Sequence, residues 1–178
     1  MKWIGISGSW RKTNNEIEAK LRDVVREVIL RGDGIVSGGA LGVDYIATEE
    51  ALKYNFTADK IKIFLPTTLE KYIEHYRKHA QLGTITIKQA EDLITQLINL
   101  KRANPMSLIE NPDVNFTEEN KKDRYYERNS RVVEASDELI AFRVKTEASE
   151  SMGTADTVEK AKIKGIPVKL FSYDLSIT

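Results

Sequence analysis

Short apolar segments alternate with longer amphipathic segments along the first third of the chain. Lys2 to Ser7, Gly34 to Ser37 and Ile61 to Leu65 are short, apolar and rich in β-branched residues, which predicts buried strands. Apolar residues recur at helical spacing between the first two strands and again from Val43 to Tyr54, which predicts a helix in each interval. The run Thr13-Asn14-Asn15-Glu16 has the form of a capping box and is expected to begin the first helix.

The middle of the chain has a different pattern. Helix formers predominate from Leu69 to Arg102, whereas Asn104 to Asn115 contains two prolines and several asparagines and is predicted to be a long loop. Thr117 is expected to cap a helix that runs from about Glu118 to Glu134. Because this region has no strand set of its own, we predict a helical insertion over about residues 69–116, within one domain that spans residues 1–178.

The alternation of strands and helices resumes towards the end of the chain. Glu138 to Val144 and Pro167 to Phe171 are predicted strands, and a helix is predicted between them from about Thr154 to Lys164. Strands that are joined by helices of this length pair in parallel. The pattern therefore predicts a Rossmann-like three-layer α/β fold, with an open parallel sheet of about five strands and the helical insertion.

The composition narrows the classes of function. The chain has 178 residues, of which 41% are hydrophobic and 30% charged, as is typical of globular proteins. The absence of cysteine excludes disulfides and thiolate metal sites. The 27 basic residues balance the 27 acidic ones, which disfavours bulk nucleic-acid binding and favours a small anionic ligand. No segment has the apolar length of a signal peptide or a membrane span, so we expect a cytoplasmic protein without a membrane partner.

Three glycine-bearing turns follow the carboxyl ends of predicted parallel strands. They are Gly8-Ser9-Trp10-Arg11, Ser37-Gly38-Gly39-Ala40-Leu41-Gly42 and Ser151-Met152-Gly153-Thr154. Ligands of open α/β sheets bind at these strand ends, where the N–H groups at helix starts attract anions. Alternatively, the glycines serve only turns that need a positive φ. If the turns bind phosphate, a glutamate in place of Gly39 is expected to block the ligand without unfolding the protein.

Two further clusters have alternative interpretations. His75 and His79 are one helical turn apart and form either half of a metal site or a solvated, lid-forming pair; no third ligand has suitable spacing, and no metal site is predicted. Four tyrosines that lie among lysines and arginines either stack on a base or pack on the domain: Tyr72, Tyr76, Tyr125 and Tyr126. The sequence lacks both the GxGxxG and the GxxxxGK[ST] motifs, which disfavours a nicotinamide-dependent dehydrogenase and a phosphate-loop protein.

Four segments, taken in order, resemble the SLOG superfamily: GISGSWR, VSGGALGVDYIATEEAL, RNSRVVEASDELIAF and SMGTADTVEKAKIKGIPV. This superfamily includes the Rossmann domain of the DNA-processing protein DprA, the Lonely Guy (LOG) phosphoribohydrolases and molybdenum-cofactor-carrier-like proteins. The resemblance covers about residues 2–66 and 124–171, and the SGGALGVD run is its most specific part. It implies a Rossmann-like fold that binds nucleotides or nucleotide-like ligands.

The resemblance also implies which residues contact the ligand. The implied phosphate and ligand contacts are Gly8, Ser9, Arg11, Ser37, Gly38, Gly39, Gly42, Asp44, Arg128, Asn129, Gly153 and Thr154. Asp44 lies either beside the ligand or only at the start of its own helix, where an acidic residue favours the helix dipole. Arg128 and Asn129 lie either at the pocket rim or on a solvated helix surface. An arginine suits bidentate phosphate binding.

The LOG enzymes carry a PGGxGTxxE stretch whose glutamate takes part in cleaving an N-glycosidic bond. The corresponding run here is Glu150-Ser151-Met152-Gly153-Thr154-Ala155-Asp156-Thr157, with Thr157 at the glutamate position. A catalytic carboxylate would therefore have to come from Asp44, Asp156 or Glu159.

Three hypotheses follow from these patterns. The first is a binding or sensing protein that holds a nucleotide or ribose-phosphate derivative at the glycine-rich loops, with the helical insertion as a lid. The second is a nucleotide N-glycosidase or phosphoribohydrolase that uses the same site. The third is a DprA-like binder of single-stranded DNA. Related folds often dimerise, so a homo-oligomer is also considered.

Overall fold

A computed structural model of the chain describes residues 1–112, 115–148 and 152–176. The strands are β1 (Trp3–Gly8), β2 (Gly34–Ser37), β3 (Ile61–Phe64), β4 (Leu108–Ile109), β5 (Glu138–Lys145) and β6 (Val168–Asp174). The helices are α1 (Asn15–Leu30), α2 (Val43–Tyr54), α3 (Leu69–Gln81), α4 (Ile87–Ala103), α5 (Lys121–Glu134) and α6 (Met152–Lys164). None of the helices in these ranges is long and apolar enough to cross a membrane.

The strands form one parallel sheet in the order β4-β3-β2-β1-β5-β6. This confirms the predicted Rossmann-like α/β fold. From β1 the chain builds the sheet outward in one direction through β2, β3 and β4. It then returns to the other side of β1 to form β5 and β6. The carboxyl ends of β1 and β5 therefore define a topological switch point, where open α/β sheets bind their ligands.

The middle of the chain contributes a strand that the sequence did not predict. The two residues of β4 lie inside the predicted long loop and pair with β3 in the register Ile63↔Leu108 and Phe64↔Ile109. So short a strand, flanked by asparagine and proline, has no periodicity that could identify it. The two helices before it are amphipathic and bury their apolar faces in the main core.

Helices cover both faces of the sheet. In β5, Phe142 and Val144 belong to the larger apolar cluster, together with buried residues of α1, α2, α3 and α4. Leu139 and Ala141 belong to a second cluster that includes residues of α5 and α6. Because alternate residues of a strand point to opposite faces, the two clusters are separate layers. The architecture is thus helix, sheet and helix.

Three helices begin differently from the prediction. The Asn14 side chain, and not that of Thr13, accepts a hydrogen bond from a backbone N–H in the first turn of α1. The α5 helix begins later than predicted, because the Thr117 hydroxyl accepts from the Asn120 N–H in a separate turn before the helix. The α6 helix includes two residues before Thr154. Short polar side chains stabilise such local turns as readily as they stabilise helix starts. The spacing of residues in the sequence therefore predicts these helix starts only to within a few residues.

Candidate functional site

A cleft of about 430 Å³ opens at the carboxyl ends of β1 and β5. It is lined by Ile6, Ser7 and Gly8 from the end of β1 and by Val144 from β5. Residues of the β1–α1 loop, the β2–α2 loop, α2, α3, α5 and the first turn of α6 form its walls. The cleft therefore occupies the switch point of the sheet.

The β1–α1 loop forms one wall of the cleft through Ser9, Trp10, Arg11 and Lys12. Arg11 has a φ of 54°, and its guanidinium donates to the Thr84 carbonyl at 2.6 Å. The indole N–H of Trp10 donates to the Tyr76 hydroxyl at 3.2 Å. Side chains of this loop are thus held by α3 and by the turn that follows it. Of the predicted contact residues, Gly8, Ser9 and Arg11 lie at the cleft.

The β2–α2 loop uses its main-chain donors within the protein. In the loop, Ala40 N–H donates to an Asp44 carboxylate oxygen (3.3 Å) and Leu41 N–H to the Tyr76 hydroxyl (3.3 Å). At the first residue of α2, Val43 N–H donates to the Ser9 carbonyl (3.2 Å). A phosphate would have to displace these bonds. The second glycine-rich loop therefore differs from the open cradle of N–H groups that its sequence predicts.

The described residues that line the cleft do not include Ser37, Gly39 or Gly42. A Cβ atom on Gly39 would lie 2.7 Å from the Ile63 side chain and 3.0 Å from Leu65, and the φ of Gly39 is 67°. A Cβ on Gly42 would collide with the backbone of the β1–α1 loop. A glutamate at Gly39 would therefore enter the core, and the expectation that it leaves the fold intact is wrong.

Arg128 and Asn129 lie in the cleft wall, with only 8% and 7% of their surfaces exposed. The Arg128 guanidinium donates to the Gly38 carbonyl and to the Asn129 side-chain oxygen at 3.2 Å. It also lies 5.2 Å from the centre of the Tyr125 ring. A side chain at Gly38 would collide with this guanidinium. The pair is thus part of the cleft and not of a solvated helix surface.

The three candidate carboxylates occupy different surroundings. Asp44 lines the cleft, and burial raises the pKa of its carboxyl, although the charge of Arg128 opposes this shift. Asp156 forms an ion pair with Lys160 at 2.8 Å. Glu159 is exposed and lines a separate surface pocket behind α6. Among the described residues, Asp44 is the candidate that a ligand in the cleft could reach.

The first turn of α6 closes one end of the cleft. Gly153 and Thr154 line it, whereas Ser151 of the predicted turn lies outside the described residues. Thr154 is 3% exposed, and its hydroxyl has no hydrogen-bond partner among the residues that the structure describes. The first N–H groups of a helix also lack acceptors within the helix. The start of α6 therefore combines helix-end donors with an unpartnered hydroxyl.

The tyrosines divide between the two interpretations. Tyr72 and Tyr76 are buried in the core, and the Tyr72 hydroxyl donates to the Gly39 carbonyl at 3.1 Å. Tyr125 and Tyr126 are half-buried and line the cleft. Tyr72 therefore packs in the core. Tyr76 is buried but also lines the cleft, and Tyr125 and Tyr126 have rings that a ligand could contact.

His75 and His79 also line the cleft, with their Nε2 atoms 3.1 Å apart. Across residues 1–112, 115–148 and 152–176, no three His, Cys, Asp or Glu side chains are grouped as metal ligands. The pair therefore contributes polar groups to the cleft wall next to Trp10, whose ring centre is 5.7 Å from that of His79.

Basic side chains predominate in the cleft. The described lining includes Arg11, Lys12, Lys121 and Arg128, with Asp44 as its acidic member. The Lys121 ammonium also forms an ion pair with Glu118 at 2.6 Å. Sequence reasoning did not single out Lys12 or Lys121. A usable signal existed for Lys121, because it precedes Arg128 by two helical turns and so shares its face of α5.

These observations define a Rossmann-like α/β protein with a basic cleft at the switch point of its parallel sheet. The family model of DNA recombination-mediator protein A matches residues 1–176, and the chain belongs to this family. Comparison with curated protein sequences finds no match.

Solved structures of the same fold include DNA processing proteins and a molybdenum cofactor carrier protein. DNA processing protein A from Helicobacter pylori, described for its single-stranded DNA binding mode, matches 98% of this chain and 66% of its own, with 23% identity and a TM-score of 0.66. The protein of that name from Streptococcus pneumoniae matches 95% of this chain and 50% of its own, with 17% identity and a TM-score of 0.58. The molybdenum cofactor carrier protein from Chlamydomonas reinhardtii matches 97% of this chain and 79% of its own, with 17% identity and a TM-score of 0.54.

The chain thus spans about two thirds of one DNA processing protein A structure and half of the other. At these identities the likeness shows the shared fold. Together with the family match, it confirms the resemblance to SLOG-type Rossmann proteins.

Proposed function

We propose that the cleft binds a nucleotide unit of a single-stranded nucleic acid, through both its phosphate and its base. The observation that carries the proposal is the predominance of basic side chains in the cleft of a chain whose net charge is zero. A local basic concentration in a neutral protein attracts a ligand with a few negative charges to one place. The switch point is also where this fold class binds ligands.

The phosphate would contact the side of the cleft that carries charge and free donors. Arg11 and Lys12 line the cleft from the β1–α1 loop, and Arg128 lines it from α5. The unpartnered Thr154 hydroxyl and the start of α6 supply further donors. Charge-assisted hydrogen bonds from such groups are stronger than bonds between neutral groups. This arrangement relies on side chains and the α6 start more than on the β2–α2 loop.

The base would stack on aromatic rings of the cleft. Trp10, Tyr125 and Tyr126 all line it. The Arg11 guanidinium lies 4.6 Å from the centre of the Trp10 ring. Arginine beside an aromatic ring is a common platform for nucleobases, because stacking and cation–π attraction act together. Stacking does not depend on the identity of the base, so we expect weak sequence preference.

A strand of nucleic acid is favoured over a free nucleotide by the family to which the chain belongs. The Helicobacter pylori relative binds single-stranded DNA, and the cytoplasmic location expected from the sequence agrees with such a ligand. A free nucleotide or ribose-phosphate derivative offers the same phosphate chemistry and is the competing ligand.

Binding of a fluorescent oligothymidylate, followed by anisotropy, tests the proposal. We expect saturable binding that Arg11→Gln weakens about tenfold, because a charge-assisted contact to phosphate is lost. Arg77→Gln is the matched control, since Arg77 is an exposed arginine on α3 that pairs with Glu91 outside the cleft. Absence of saturable binding, or equal weakening by both variants, would contradict the proposal. Displacement by AMP as efficient as by unlabelled oligothymidylate would instead support the small ligand.

A further inference from the structure

His75 and His79 face each other from successive turns of α3. Their Nε2 atoms lie 3.1 Å apart, and the Tyr125 hydroxyl lies 3.2 Å from the Nε2 of His75. The Nδ1 atom of His79 is buried and has no hydrogen-bond partner among the described residues. Both rings line the cleft, so a ligand that enters it can reach them.

Two ring nitrogens at this distance can share one hydrogen, with one nitrogen donating and the other accepting. If both Nε2 atoms carried hydrogen, two N–H groups would point at each other and repel. An anionic oxygen placed between the rings would accept a hydrogen bond from each N–H group. The pair with hydrogen on both Nε2 atoms, which needs one added proton, is therefore stabilised by an anion, with a small rotation of one ring to admit it.

The groups around the pair come from three parts of the chain. On α3 they are Tyr72, Tyr76 and Lys78; from α5 and the segment before it they are Phe116, Glu118, Lys121 and Tyr125; from the β1–α1 loop they are Trp10 and Arg11.

Burial lowers the pKa of His75 to about 4, and the charge of Lys121 acts in the same direction, whereas Glu118 opposes it. Burial and Lys121 also lower the pKa of His79. The pair is therefore uncharged near neutral pH when the cleft is empty.

The same surroundings favour an anion over a metal ion. A cation between the rings would face Arg11, Lys78 and Lys121, against the single carboxylate of Glu118. An anion would gain from all three basic groups and from each proton that the pair accepts.

On the basis of the proposed function, we propose that His75 and His79 form a second anion subsite, in which a phosphodiester oxygen enters between the two rings as the pair takes up a proton from solvent. The subsite adjoins the loop that carries Trp10 and Arg11. The ligand is then a strand with at least two phosphates. Its affinity rises as the pH falls through the range in which histidine titrates.

The test measures binding of an oligothymidylate that lacks a terminal phosphate, because its phosphodiesters keep one charge each between about pH 8 and about pH 5.5. Kd is expected to fall about threefold or more over this range in the unmodified protein, because the tenfold gain from a pKa shift of one unit is complete only below the lowered pKa of His79 in the empty cleft. His79→Gln should reduce this change to less than about twofold. Asp44→Asn should retain it, which separates the pair from the buried carboxyl in the same cleft.

Proton NMR gives a readout that does not depend on affinity. The chain has two histidines, so two imidazole Hε1 signals can be followed during a pH titration. Saturating oligothymidylate should raise the titration midpoint of His79 by about one pH unit. Binding with unchanged midpoints and no pH dependence, or a pH dependence that Asp44→Asn abolishes, would overturn the subsite and leave the proposed function standing. No binding at any pH would overturn both.

Discussion

Gly39 and Gly153 each follow a strand of the sheet, but they differ in the space around them. A Cβ on Gly39 would press on Ile63 and Leu65, whereas a Cβ on Gly153 would meet no atom of the described residues within 4 Å. The same substitution should therefore have different effects at the two sites. Gly39→Glu should destabilise the protein by about 3 kcal/mol or more, because it combines a left-handed backbone, overpacking and a buried charge. Thermal or urea denaturation measures this loss.

Gly153→Glu should keep the stability of the unmodified protein, since an acidic residue suits the start of a helix. It should weaken oligothymidylate binding by about tenfold, because a negative charge then lies in the basic cleft. The pair of variants thus separates a core position from a ligand position by melting and binding curves. A stable Gly39→Glu protein, or a Gly153→Glu protein that binds normally, would show that these positions are misassigned.

The residues of the cleft could be predicted only in part from the sequence. The resemblance to SLOG proteins selected Arg128 and Asn129, which the structure buries in the cleft wall. It also selected Gly39, which faces the core. Whether a side chain at Gly39 would point into the core or into the cleft depends on how the loop packs against β3. The local sequence does not contain that information. Glycine-rich loops are therefore weaker guides to ligand contacts than the charged residues that face them.

At the scale of elements, α3 has a role that its place in a predicted insertion conceals. Two of its tyrosines bind the β2–α2 loop: Tyr72 donates to the Gly39 carbonyl, and Tyr76 accepts from the Leu41 N–H. Tyr76 also accepts from the indole of Trp10. One helix thus fixes two of the loops that follow the strand ends, and its histidines face the cleft between them.

Removing one hydroxyl tests this role of α3. Tyr76→Phe should lower the free energy of unfolding by about 1–3 kcal/mol, because the buried Leu41 N–H loses its acceptor. Tyr54→Phe is the control, since Tyr54 is 43% exposed at the end of α2, and its stability should stay within about 0.5 kcal/mol. Urea unfolding with an unchanged m-value measures both. Equal stability of the two variants would mean that the Tyr76 hydroxyl does not stabilise the loop.

The elements themselves were predicted where their periodicity was long. The helices α1 and α2 and the strands β1, β2, β3, β5 and β6 lie where the sequence predicts them. The strand β4 was missed because two residues establish no period, and its identity depends on pairing with β3. The start of α5 was displaced because Thr117 and Asn120 form a turn of their own. Tertiary pairing and local capping thus account for the differences.

For the whole molecule, net charge and charge distribution lead to different expectations. A balance of 27 basic and 27 acidic residues argues against an extended basic surface. The fold nevertheless gathers four basic side chains from two separate parts of the chain around one cleft. Composition could not reveal this, because the clustering arises only when α5 crosses to the switch point. A neutral protein with a basic cleft should bind nucleic acid through few phosphates.

The small number of basic side chains in the cleft limits the salt dependence of binding. Each phosphate neutralised on a single strand contributes about −0.7 to the slope of log K against log salt, so four cleft cations allow a slope no steeper than about −3. Lys12→Gln should reduce the slope by about 0.7, because it removes one cation from the cleft. Lys60→Gln is the matched control. Lys60 immediately precedes β3 and so lies at the amino ends of the strands, whereas the cleft lies at their carboxyl ends. Anisotropy titrations between about 50 and about 300 mM salt measure all three slopes. A slope steeper than about −5 would mean that the strand follows a longer basic track, and the cleft would then be only one part of the binding surface.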